Sequence, residues 1–189
     1  TVAFQFAVDV LDGKIISGKR RKQACMRFIS ELEKAETDPE YPWEFDIEKG
    51  YRPIEFMERF LKPSKGAYKS MKLLPWQHFI EANMYGWVSK ETGYRRFRES
   101  LIIVGQGNGK STLIAGNGAY GLCKDGERGA EIYCLSNSRE QARIVFGECS
   151  AQVSGSKMLA KHIKVTRDGM YYGNSKFEPL ASDSKNLDG

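Results

Sequence analysis

No apolar run in this chain approaches the roughly 20 residues that a helix needs to cross a bilayer, so an ordinary membrane-spanning helix is excluded. The opening segment TVAFQFAVDVLDGK has no basic stretch and is interrupted by Asp9 and Asp12, which argues against a secretory signal. Cysteine is sparse: Cys25, Cys123, Cys134 and Cys149 are widely separated, form no CxxC pair and have no histidine close by in sequence. That spacing offers neither a zinc site nor a disulfide framework and reads as reduced thiols of a cytosolic protein. Internal repeats and low-complexity tracts are lacking too. Charge is unremarkable: 29 basic residues against 24 acidic ones leave +5, which permits a polyanionic partner without requiring one.

What is present divides into a helical first part and an alternating second part. Val2, Phe6 and Val10 mark one helix, and Lys19 to Glu36 a second, with Cys25, Phe28, Ile29 and Leu32 on its apolar face. The segment TDPEYPW (Thr37 to Trp43) reads as a loop. Arg52 to Leu61 is expected to form a short helix opened by Pro53 and ended by Pro63. Pro75 opens another over Lys72 to Val88, its apolar positions Trp76, Phe79, Ile80, Met84 and Trp87 recurring at helical spacing. From Ser100 onward strands and helices alternate: strand Leu101–Val104, helix Lys110–Cys123, strand Glu131–Leu135, helix Arg139–Val153. Such alternation predicts an α/β fold, a parallel sheet flanked by helices. His162–Thr166 and Met170–Tyr172 then form short strands joined by a turn at RDG. The expected division is a helical arm or lid over 1–70 and an α/β core over 71–189.

The most informative stretch is LIIVGQGNGKST, Leu101 to Thr112. A phosphate-binding loop of the form G-x-x-x-x-G-K-[ST] lies between a buried strand and a helix, and Gly109, Lys110 and Ser111 match its end. Val104 occupies the first glycine position, while Gly105 and Gly107 lie inside the loop, so the match is to a variant. The chemistry still serves a triphosphate. Glycines let backbone N–H groups turn toward an anion, and the following helix directs its positive end at the same place. Lys110 is the candidate for the β- and γ-phosphates and Ser111 for Mg²⁺, with ATP as the expected nucleotide. Gln106 and Asn108 either reach phosphate or cap the turn, and Thr112 completes the candidate set.

Two further features carry less specific signals. The amide of Gln77 can donate to and accept from an adenine edge, with Trp76 offering stacking area, though such a position on an amphipathic helix is more often simply a surface residue. Ser138 and Gln141 form a capping box, and Arg139 and Arg143 follow on that helix, suited to phosphate, to DNA or to solvent.

Taken together, DVLDGKIISGKRRKQACMRFISELE, LLPWQHFIEANMYGW, LIIVGQGNGKST, YCLSNSREQARIVF and FEPLASDSKNLDG, in that order, resemble the large terminase subunit of tailed bacteriophages. That family is similar in its shifted loop ending N-G-K-[ST]. The resemblance implies a P-loop NTPase of the ASCE type that drives DNA packaging, with ATP and Mg²⁺ as cofactors. Double-stranded phage DNA, portal protein and the small terminase subunit are the implied partners, in a homo-oligomeric ring in the host cytoplasm. It implies an adenine-sensing role for Gln77 and a triphosphate role for Gly105, Gln106, Gly107, Asn108, Gly109, Lys110, Ser111 and Thr112. Many members carry an arginine where this chain has Gln106, so that charge is expected from elsewhere. Lys185 is a candidate for a charge offered to a neighbouring subunit.

The family's apolar strand ending in Asp-Glu has no counterpart after Ser111; Asp183 and Asp188 lack a preceding buried strand. The sequence is therefore expected to stop short of the Walker B strand, as a fragment or a split product, holding phosphate but turning over little ATP. The competing readings are another P-loop translocase of helicase type and a non-catalytic assembly module. The basic runs Lys19-Arg20-Arg21-Lys22 and Arg95-Arg96 with Arg98 are candidates for DNA backbone, or simply solvated faces.

Overall fold

Helix formation begins where a side chain can satisfy the first free N–H groups. In the computed structural model, which describes residues 1–66, 69–136 and 138–181, Thr1 caps α1 (Val2–Leu11) by accepting from Phe4 N at 3.3 Å. α2 spans Lys19–Thr37. α3 runs Ile47–Phe60, five residues earlier than its expected start at Arg52. The reason is Asp46, whose carboxylate accepts from Lys49 N at 2.9 Å and starts the helix there, leaving Pro53 inside it. α4 (Pro75–Gly86) opens with its proline in the first turn, as expected. Trp87 then leaves the helix and pairs instead, β1 (Trp43–Phe45) running antiparallel to β2 (Trp87–Ser89).

The chain forms two compact units that interleave along the sequence: residues 1–55 with 73–102, and residues 56–72 with 103–189. α3 begins in one unit and ends in the other.

The first unit packs α1, α2, α4 and the β1–β2 ribbon around aromatic side chains. Phe28 meets Phe45, Phe79 and Trp87 edge-on, with centroids 5.4, 5.5 and 6.4 Å away. Arg96 closes this unit. Its guanidinium donates to Glu31 Oε1 at 2.9 Å and to Tyr41 OH at 3.0 Å, and lies 4.9 Å from the Phe97 ring centroid. Arg96 is thus committed internally rather than presented to DNA. Arg96→Ala leaves the largely buried Glu31 without its cation, and is expected to cost about 2–3 kcal/mol. A urea melt would check this; a change within about 0.5 kcal/mol would place the pair among inert surface contacts.

The second unit is a mixed sheet with two helices on one face. α5 (Lys110–Cys123), β3 (Glu131–Ser136) and α6 (Arg139–Ser154) fall where the sequence places them, and Ser138 caps α6 by accepting from Gln141 N at 3.2 Å. β4 (Lys164–Val165) and β5 (Met170–Tyr172) make the expected hairpin. β6 (Ser175–Ala181), which no sequence signal assigned to a strand, is the central piece: it runs parallel to β3 and antiparallel to β5. The order is β3-β6-β5-β4, so the expectation of a parallel sheet is corrected to a mixed one. Ile132 and Phe177 face the helices, whereas Tyr133, Leu135 and Leu180 on the other face stay partly or largely exposed.

The expected strand Leu101–Val104 is a second correction. These residues join no ladder among the described residues, and Leu101 and Ile103 are 87% and 85% exposed. An apolar run becomes a strand only when a neighbour satisfies its backbone, and none of the described residues does so here.

Three cysteines distant in sequence converge around α5, β3 and α6. Burial pushes the Cys123 and Cys134 thiols up to about 11, and the Cys149 thiol further still, with Cys134 and Cys123 near enough to add to the shift. All four are free, and no cluster of three or more His, Cys, Asp or Glu suited to a metal occurs among the described residues.

Candidate phosphate-binding site

The loop between Val104 and α5 owes its shape to two left-handed glycines. Gly107 has φ 81° and Gly109 φ 75°, a region costly for any residue with a Cβ, and Gly109 is the residue from which α5 departs. Asn108 holds the turn closed, its amide donating to the carbonyls of Gly105 and Gln106, both at 3.2 Å. Of the two roles open to Asn108, capping the turn is the one this geometry supports. Gln106, by contrast, is exposed and lines the adjacent cavity.

That cavity, about 430 Å³, is bounded by the loop, the first turn of α5, the segment Pro63–Lys65 and the α6 residues Ile144 and Glu148. Its size suits a small-molecule ligand. Lys110 projects into it with Nζ donating to Val104 O at 2.6 Å and Gly105 O at 3.0 Å. An ammonium has three donors, so one remains for an anion without breaking these bonds.

The two adjacent hydroxyls separate here in a way the sequence left open. Thr112 donates to Glu148 Oε1 at 3.1 Å, whereas the Ser111 hydroxyl has no partner among the described residues and lines the cavity. Glu148 went unnoticed in sequence, because an acid at that position on α6 looks like any solvated helix residue. It accepts from Ser64 Oγ at 2.6 Å, from Thr112, and from Gln152 Nε2 at 3.2 Å, tying three segments together at the edge of the loop.

Gln77 lies in the other unit and is buried, 6% exposed, so it is no surface residue. Its Oε1 accepts from Leu74 N at 2.7 Å, reaching back to start α4, which leaves the Nε2 side of the amide for other use. Arg143 pairs with Asp168 at 3.6 Å, and the side chain of Arg139 falls outside the described positions. Lys185, Asp183 and Asp188 also lie outside the described residues.

Helices packed on one face of a mixed sheet, with a glycine-turned loop at the start of α5, define an α/β protein. The chain belongs to the terminase large subunit ATPase domain family, whose model matches residues 75–189. It is 27% identical to the terminase large subunit of Lactococcus phage SK1, over 72% of this chain and 27% of that protein. Its fold is similar to the crystal structure of the HK97 bacteriophage large terminase, with TM-score 0.63 and 25% identity, covering 75% of this chain and 29% of that one. The chain therefore spans a little over a quarter of the length of either relative.

Proposed function

We propose that this chain is the ATP-binding part of a motor that packages phage DNA, using the Gly105–Thr112 loop as its triphosphate cradle. The observation that carries this reading is the convergence of Lys110, the unpartnered Ser111 hydroxyl and the α5 N-terminus on one cavity of about 430 Å³. Lys110 neutralises phosphate charge. Ser111 is the hydroxyl available to Mg²⁺, an ion that takes few protein oxygens and completes its shell with phosphate and water. That oxygen fits the ion without a carboxylate cage. When bound, Mg²⁺ offsets phosphate charge; the chain's own part is to hold and orient the nucleotide.

Hydrolysis, DNA translocation and assembly as a ring on a portal with a small subunit, in the host cytoplasm, are proposed for the whole protein. In DNA contact, Lys19, Arg20, Arg21 and Lys22 on α2 are the better candidates, since they remain exposed while Arg96 is internally paired.

Adenine recognition through the free Nε2 side of Gln77 is the reading's finest element. Titration of the chain with MgATP and MgGTP tests it: ATP is expected to bind at least about tenfold tighter, and Gln77→Ala to narrow that gap. Equal affinity for both nucleotides would remove Gln77 from the site. Failure of both to bind would remove the nucleotide reading altogether.

A further inference from the structure

The loop cavity has an electrostatic requirement that Lys110 alone does not meet. Among its lining residues the charged ones are Lys65, Lys110 and Glu148. Glu148 lines the same space, its carboxyl group accepting only from three neutral donors, so the formal charges of Lys110 and Glu148 cancel. Gln106, within the loop, is neutral. A triphosphate with one Mg²⁺ remains an anion and needs a cavity of net positive sign.

Lys65 supplies the difference, and its placement is not that of a loose surface lysine. The segment before it is fastened to α6 at two points, Lys62 N donating to Gln152 O at 3.3 Å and Ser64 Oγ to Glu148 Oε2 at 2.6 Å. Pro63 stands between these anchors and limits the backbone further. Lys65 follows directly, exposed, with no hydrogen bond or ion pair to a described residue, and lines the cavity. A cation on an anchored segment, without a partner among the described residues and lining the same cavity as Lys110, is in position for the same ligand.

We propose that Lys65 is a second phosphate-binding residue of this cavity, acting with Lys110 on the triphosphate and compensating the carboxylate of Glu148. The inference rests on the nucleotide-binding reading of the site and names a residue that reading does not include.

The test compares the unsubstituted chain with Lys65→Gln, Lys65→Arg and Lys110→Ala, using MgATP and, as a probe without a base, inorganic tripolyphosphate. Lys65→Gln is expected to weaken both ligands about tenfold at low salt, with a smaller deficit at high salt, and Lys65→Arg to restore most of the affinity. Thermal midpoints should not move, since the side chain has no structural contact to lose. Ser64→Ala, which frees the anchor but keeps the charge, is expected to fall between the two. If Lys65→Gln binds both ligands within twofold of the parent while Lys110→Ala does not, Lys65 is a solvated lysine and the inference falls alone. If the parent binds neither ligand, it falls together with the nucleotide reading.

Discussion

Lys110→Ala is expected to lower MgATP affinity by about 100-fold or more while leaving the fold intact. The one charge-assisted bond left open to Lys110, about 1.5–3 kcal/mol, together with the loss of a positive charge beside the triphosphate, accounts for an effect of that order. The fold should survive because the hydrogen bonds Lys110 makes among the described residues go to the carbonyls of its own loop, at Val104 and Gly105. Lys110→Arg is expected to recover only part of the loss, since a planar guanidinium cannot repeat the compact ammonium's contacts with those carbonyls. Fluorescent-nucleotide titration with circular-dichroism melting separates binding from stability. Unchanged affinity in Lys110→Ala would remove the loop from nucleotide binding, whatever the family resemblance.

Phe177→Ala should produce the largest loss of stability in the second unit, about 3–5 kcal/mol. Phe177 is 1% exposed and stands on β6, the strand joining the parallel and antiparallel parts of the sheet. Its ring meets Phe146 of α6 edge-on at 5.7 Å, and lies against Gly118 of α5 so closely that a Cβ there would come within 2.7 Å of it. One side chain thus couples both helices to the sheet, and a loss of that size is a large share of a domain's 5–15 kcal/mol. A urea denaturation series including Phe177→Leu would show it, with the leucine variant losing less. A shift under about 1 kcal/mol for alanine would mean that α5 and α6 do not pack on β6 as described. Gly118→Leu offers an independent check, because it overfills the same contact from the helix side.

How legible these features were depended on the range of the interactions behind them. α5, β3 and α6 were readable because local rules suffice: a glycine turn starts α5, alternating burial marks β3, and Ser138 caps α6. The start of α3 was misplaced because Pro53 signals a helix opening wherever it stands, and Asp46 outranked it by capping earlier. β6 was missed because Pro179 interrupts a short run of mixed polarity. The structure shows why the proline is tolerated: β5 pairs with β6 only from Ser175 to Phe177, so Pro179 lies beyond its reach. Leu101–Val104 was overread, because apolar composition describes what a strand can bury and not whether a partner is present to pair with it.

The same distinction runs through the site. By itself the sequence determined the order of extended segment, glycine turn, lysine, hydroxyl and helix, because those features follow from backbone freedom and helix-end polarity within a dozen residues. Tertiary structure alone decided which hydroxyl is free, since Thr112 is claimed by Glu148, 36 residues away. It also brought Ser64, and with it Lys65, to the cavity through a bond spanning 84 residues, and spent Arg96 on Glu31 across 65. Contacts of that length are set by how helices seat on the sheet and around their own core. No local propensity encodes them.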